Sequence, residues 1–402
     1  MSKRRGQKKK RGFPNTHKRS NTPRPIRRPA VIKLADVRLT GFAMANALPG
    51  ENLPVLVRAA LTSDKRDFYL FMHGIDVVIN ENLKRAGVLL SLDTVPGFLL
   101  VIHEDASAEL HISNIEASIE ILAKRNIQAG DAVYVNDIAD IRKLKFTSLT
   151  LHPSDKVFIC FKVGWKFALF FDLAENRDID VDRMEHDLGT LYRRLRYQAL
   201  YEGLSDEVTV DNLTKAGWFP FVELLGSDFD RVLKAYQNDF NIKAQQSALV
   251  EKFDHARIEC VAERWWKNSI VGKHKIVLEA GLRAFERGDY VSCIKNIMTE
   301  IEGVLADLHL AETGATAKTK ALLEHAVEKG VEKAGGEASL LFPSEFLRYL
   351  SDVAYANFDP NDPSKAGASR HTVGHGVADG NTYTPARALQ VILTLDQIVF
   401  YL

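Results

Sequence analysis

The last seventeen residues of the chain, Ala386–Leu402, constrain its fold more than any other stretch. Their spacing predicts a helix with large apolar side chains on nearly every side. Such a helix must be covered all round, and one face of a bundle covers about half of it. We therefore expect a helical bundle here, with a second copy of the chain packed against it as a homodimer.

Helical periodicity extends back from this segment to about Lys273. It predicts an all-α bundle over residues 273–402, built from five helices. The second of them carries the most regular apolar stripe in the chain, with steps of three and four residues. Its members are Val291, Ile294, Met298, Ile301, Leu305 and Leu308.

Residues 31–205 mix strand and helix signals, which predicts an α+β domain that senses or binds a partner. Phe68–Met72 and Phe98–Ile102 are short apolar runs typical of strands, and Gly164-Trp165 lies between two more in a hairpin pattern. Ser113–Glu116 has capping-box spacing, so a helix is expected there, and Met184–Leu195 has the apolar spacing of a closing helix. A helical linker region over 206–272 joins the two domains, and the fold class is α+β.

Composition agrees with a globular protein of 402 residues, with 46% hydrophobic and 26% charged residues. No apolar run reaches the length of a membrane span, and no secretory signal begins the chain. The three cysteines are scattered and form no C-x-x-C pair, which favours reduced thiols in a cytoplasmic protein. We expect no membrane partner.

Residues 1–30 hold twelve lysines and arginines, four prolines and no acidic residue. Such a segment buries too little apolar surface to fold, so we expect a disordered basic arm. It either attracts the phosphates of RNA or DNA or is a solvated tail that aids solubility. The candidate RNA-binding residues are Lys8, Lys9, Lys10, Arg11, Arg27 and Arg28.

The segment Ser369–Gly376, S-R-H-T-V-G-H-G, gathers more chemically capable side chains than any other. Arg370 and His375 can together stabilise a phosphate and move a proton, which suits phosphodiester cleavage. Five positions of an ideal helix turn through about 500°, leaving the two side chains about 140° apart. We therefore expect Gly374 and Gly376 to loosen or end the helix.

A helical bundle with an Arg-x4-His motif near its last helix resembles the HEPN superfamily over roughly Lys273–Leu402. The resemblance also rests on His371 directly after the arginine, on Gly376, and on the upstream segments Ala284–Tyr290 and Thr299–Leu305. It implies a metal-independent endoribonuclease that needs no cofactor and works as a dimer. Such enzymes are common in bacterial defence and toxin systems.

In that chemistry neutral His375 takes the proton of the RNA 2′-hydroxyl, and Arg370 stabilises the developing phosphorane. The products are a 2′,3′-cyclic phosphate and a 5′-hydroxyl. His371 is a candidate second proton carrier, or it orients Arg370. Glu302 either faces the site or is an ordinary carboxylate at the rim of its helix.

Two alternatives to a metal-independent nuclease stay open. His371, His375 and Asp379 fall at i, i+4 and i+8, a spacing that suits a metal on a continuous helix. The glycines in the segment oppose such a helix, and Thr372 stands where a zinc protease has its glutamate. The other alternative is a non-catalytic RNA-binding or protein-interaction module in which the Arg/His pair is structural.

Overall fold

A computed structural model describes residues 31–112, 115–147, 149–336, 338–357 and 369–402. The N-terminal part contains a six-stranded sheet and two separate two-stranded pairs, all antiparallel. A helical part follows, so the predicted α+β class is confirmed. The strands are β1 (Ile32–Leu34), β2 (Phe42–Ala43), β3 (Val55–Leu56), β4 (Arg58–Thr62), β5 (Phe98–Ile102), β6 (Ala108–Ile112), β7 (Ala117–Ala123), β8 (Ile138–Phe146), β9 (Lys156–Val163) and β10 (Lys166–Asp172).

The large sheet has the strand order β1-β6-β5-β9-β10-β4 and is covered by a helix on each face. Successive side chains of a strand point to opposite faces of the sheet, so apolar side chains of the central strands pack against the helix on each face. In β5, Phe98, Leu100 and Ile102 pack with helix α1 (Arg66–Arg85). Leu99 and Val101 pack on the other face with helix α2 (Val181–Arg196). The predicted hairpin around Gly164 and the predicted closing helix are both confirmed.

Two local predictions are wrong. Phe68–Met72 lies in α1, a helix of 20 residues, because its apolar positions continue as Phe71, Ile75, Ile79 and Leu83 at helical spacing. The helix expected from Ser113–Glu116 is replaced by strand β7, which pairs with β8. Ser113 and Asn114 lie outside the described residues. The residues that follow pair along a strand, and this long-range pairing overrides the local capping signal.

The helical part follows α2 directly. Its helices are α3 (Gln198–Leu204), α4 (Glu207–Lys215), α5 (Ser227–Gln237), α6 (Ile242–Glu251), α7 (His255–Lys267), α8 (Ser269–Lys273), α9 (Lys275–Glu286), α10 (Tyr290–Thr313), α11 (Thr319–Ala334), α12 (Pro343–Tyr349), α13 (Arg370–Gly374) and α14 (Pro385–Tyr401). A π-helical turn, Leu350–Ala354, continues α12.

Residues 206–272, expected to link two domains, share one hydrophobic core with the C-terminal helices. Phe229, Val261 and Trp265 belong to the same buried cluster as Ile301 and Ile392. Three residues of β8 also join it, so the cluster extends into the N-terminal part. These helices are thus part of the bundle's packing.

Helix α14 is already covered by its own chain, since every residue from Ala388 to Ile398 is buried. Its polar side chains also find partners within the chain. Gln390 donates to the carbonyl of Ala216 (2.8 Å), and Asp396 accepts from the indole of Trp265 (3.0 Å). The reason given for a homodimer is therefore wrong, because one chain covers both halves of this helix. The dimer itself stays a prediction.

Within the described parts of the chain, every helix is too short or too polar to span a bilayer.

Candidate functional site

The motif segment forms α13, a short helix fixed by its own polar cap and by two buried residues. The Ser369 hydroxyl accepts a hydrogen bond from the Thr372 amide (3.4 Å), and the Thr372 hydroxyl accepts one from the Ser369 amide (2.9 Å). Thr372 and Val373 are buried, whereas Arg370 and His371 are partly exposed. The helix is therefore anchored on one side and presents its charged residues on the other.

Helix α13 ends at Gly374, as the glycine spacing predicted. His375 is its C-terminal cap, and its amide donates to the carbonyl of His371 (3.0 Å). Gly376 follows with φ +70°, a left-handed conformation that glycine adopts without a steric penalty. The side chain of His375 is exposed beyond the helix end.

The Arg370 guanidinium forms an ion pair with Glu302 of α10. Its Nη1 also lies 3.6 Å from the position that a Cβ on Gly374 would occupy. The guanidinium thus folds back over the end of its own helix, toward the turn that carries His375. Glu302 accepts a second contact from the Thr319 hydroxyl at the start of α11 (3.2 Å). Glu302 therefore faces the motif and is not merely a carboxylate at the rim of its helix.

Tyr355 completes the surroundings of the ion pair and was missed in the sequence. Its side chain is buried, and its hydroxyl has no hydrogen-bond partner within the described residues. Burial, with a further contribution from the negative charge of Glu302, raises the pKa of Tyr355, and Arg370 opposes this. The His371 ring meets the tyrosine ring edge-on, with centroids 6.2 Å apart. Tyr355 carries no local signal, because it precedes Arg370 by fifteen positions.

The metal alternative needs His371, His375 and Asp379 on one continuous helix. The helix stops at Gly374, and Asp379 instead accepts a hydrogen bond from the Asn381 amide (2.7 Å) at the next turn. In the described part of the chain, no three histidine, cysteine or carboxylate side chains are grouped so as to hold a metal ion. The arrangement does not fit the predicted metal spacing.

A cavity of about 660 Å³ lies beside α13. Ser369 and Thr372 are among its lining residues, whereas Arg370 and His375 are not. Outside this lining, Arg370 is partly exposed and His375 is exposed.

The N-terminal part brings together residues that look isolated in the sequence. His103 contacts the buried carboxylate of Asp155 through Nδ1 (2.8 Å), and the same carboxylate accepts from the His152 amide (2.8 Å). Both histidines line one open cleft. The spacing of 52 residues between His103 and Asp155 explains why sequence patterns do not show this pair.

The candidate RNA-binding residues of the arm, from Lys8 to Arg28, lie outside the described residues. Comparisons with protein-family models, with curated proteins and with solved structures gave no match to this chain. Membership of the HEPN superfamily therefore stays a prediction that rests on the motif and its helical setting.

Proposed function

We propose that this chain is a metal-independent endoribonuclease of the HEPN type that cleaves RNA through Arg370 and His375. The observation that carries the proposal is the shape of α13. Arg370 begins this five-residue helix, His375 caps its end, and the guanidinium folds toward that end. A phosphate bound by Arg370 would thus lie beside the turn that carries His375.

In this proposal each residue has one role. His375, exposed at the end of α13, takes in its neutral form the proton from the 2′-hydroxyl as its oxygen attacks the adjacent phosphorus. Arg370 donates to the non-bridging oxygens as charge builds on the phosphorane. The bond to the 5′-oxygen breaks, which leaves a 2′,3′-cyclic phosphate and a 5′-hydroxyl. His371 supplies that leaving oxygen with a proton.

The ion pair between Arg370 and Glu302 favours a second candidate. A guanidinium held by a carboxylate is partly neutralised, as expected of a structural pair in a non-catalytic RNA-binding or protein-interaction module. In the nuclease proposal Glu302 instead orients Arg370 and yields it to the phosphorane, which carries more negative charge than the carboxylate. The two candidates differ in whether RNA is cut.

The test is cleavage of single-stranded RNA in EDTA by the full chain. We expect products with 2′,3′-cyclic phosphate ends, and a loss of at least a hundredfold in rate for His375→Ala, because a general base contributes about that factor or more. His255→Ala, in an exposed histidine of α7, is the matched control and should cut like the wild type. RNA that stays intact with wild-type protein, or equal cleavage by His375→Ala, would remove the nuclease proposal.

RNA is the proposed partner, and the basic residues of the arm are proposed to contact its phosphates. A homodimer that brings two motifs to one cleft, a cytoplasmic location and a role in defence or toxin systems belong to the same proposal. Each is implied by the resemblance or by composition.

A further inference from the structure

A second cavity, of about 340 Å³, lies where the N-terminal part meets the bundle. Its lining comes from the end of α2, from α3 and α4, from Trp218-Phe219-Pro220 and from α12. Its volume falls within the range of small-molecule sites, which are concave, mostly apolar and equipped with a few polar groups.

The walls of this cavity are aromatic. Trp218, Phe219 and Tyr349 are almost fully buried behind its surface, and Tyr201 and Phe342 also belong to the lining. Rings of this kind offer flat faces and polarised edges, and another ring packs well against such a wall. The walls therefore suit a planar aromatic molecule better than a flexible aliphatic one.

The backbone at Phe342 is strained. Its φ of 47° and ψ of 57° place a bulky residue in the left-handed region, directly before α12. Residues held in this way cost free energy and are concentrated at ligand-binding sites and switches. This conformation places Phe342 in the cavity lining at the start of the helix that carries Tyr349.

The charges around the cavity are mostly positive. Arg193 is buried, and although its terminal nitrogens bind Asp140 and two carbonyls, its Nε has no partner among the described residues. Arg194 is exposed and forms no ion pair with any residue that the structure describes. Arg348 is already paired with Asp211 and Asp352, and Glu345 is the one acid in the lining. Arg194 is therefore available to an anion.

We propose that this cavity binds a small planar aromatic molecule that carries an anionic group. The ring lies against the partly exposed Tyr201 in front of the buried aromatic wall, and the anion faces Arg194. This site is separate from the motif at α13 and does not depend on the nuclease proposal. Because the N-terminal part and the bundle both line it, a bound ligand would hold the two together.

The test uses two fluorescent probes that differ in one group. The anionic probe, 8-anilinonaphthalene-1-sulfonate, should bind the full chain saturably at one site per chain. N-phenyl-1-naphthylamine, which lacks the sulfonate, should bind at least tenfold more weakly. Arg194→Ala should remove that difference, whereas Arg196→Ala, an exposed arginine of the same helix outside the lining, should preserve it.

Filling the cavity gives an independent measurement. Val210→Trp puts a large ring into the lining and should abolish binding of the anionic probe. Val208→Trp, on the exposed side of the same helix α4, is the matched control and should bind like the wild type. If Val210→Trp unfolds, as judged by circular dichroism, Ser205→Trp fills the same cavity from an exposed position.

Three results would overturn the proposal. They are the absence of saturable binding, equal affinity for the two probes, and undiminished binding by a folded cavity-filling variant. Loss of probe binding in Val210→Trp or Ser205→Trp, together with retention in Val208→Trp, supports it.

Discussion

At the scale of single residues, Lys124 is a lysine held inside the protein core. Its side chain is buried and its ammonium donates to the carbonyl of Leu225 (3.3 Å). Burial lowers the pKa of Lys124 to about 8; the carboxylate of Glu223 works against burial, and the nearby Arg257 and Arg264 add to the lowering. The charged form of this lysine therefore destabilises the native state at neutral pH.

This shift predicts a pH dependence. The native pKa lies below the ordinary value of 10.5, so the unfolded chain binds the extra proton between about pH 8 and 10.5, and stability rises with pH across that window. Lys124→Met should raise the free energy of unfolding by about 3 kcal/mol at pH 7, because a pKa lowered from 10.5 to about 8 corresponds to about that free energy. That gain should shrink above pH 8. The measurement is urea unfolding at pH 7, 8.5 and 10, with Lys320→Met, at an exposed lysine, as the control. A gain independent of pH would contradict the prediction.

At the scale of elements, the sequence predicts helices and strands correctly where the run of apolar residues is long enough to distinguish the helical period from the strand period. The apolar stripe from Val291 to Leu308 predicts a helix and lies in α10. The apolar runs on either side of Gly164 predict a hairpin and form β9 and β10. Phe68–Met72 is five residues long, and its helical period appears only when Ile75 and Ile79 are counted with it. Strand β7 forms because it pairs with β8, and the local sequence of β7 does not indicate this partner.

The contact between α2 and β8 depends on Gly189. A Cβ at this position would lie 2.6 Å from the carbonyl oxygen of Arg142 and 2.7 Å from the Cα of Lys143, and backbone cannot move aside as a side chain can. Gly189→Ala should therefore destabilise the protein by about 1–3 kcal/mol. Gly272→Ala, in α8 with open space around it, should be neutral or stabilise by up to about 1 kcal/mol. Thermal unfolding of both variants tests this, and equal melting temperatures would show that α2 and β8 are not in close contact.

At the scale of the whole molecule, the sequence identifies which segments must be buried but not what buries them. Ala386–Leu402 was expected to need a second chain, yet helices and loops from residues 216 to 349 cover it instead. In the candidate site, likewise, the sequence identifies the motif but not the residues that surround it. Arg370 and His375 are local to one segment. Glu302 pairs with Arg370, and Tyr355 packs on His371, only because α10 and the π-helical turn after α12 lie beside α13.

The covering of α14 leads to the last prediction. Ile398 is fully buried within one chain, so Ile398→Glu places an unpaired carboxylate in the core, at a cost of several kcal/mol. We expect this variant to be unfolded or to melt far below the wild type, whatever the oligomeric state. Leu310→Glu, at an exposed position of α10, is the control and should fold normally. Circular dichroism measures folding, and sedimentation at micromolar concentration measures assembly. If Ile398→Glu is instead a stable monomer while the wild type sediments as a dimer, then α14 packs against a second copy after all. The helices that surround it in one chain would then be insufficient to explain its apolar surface.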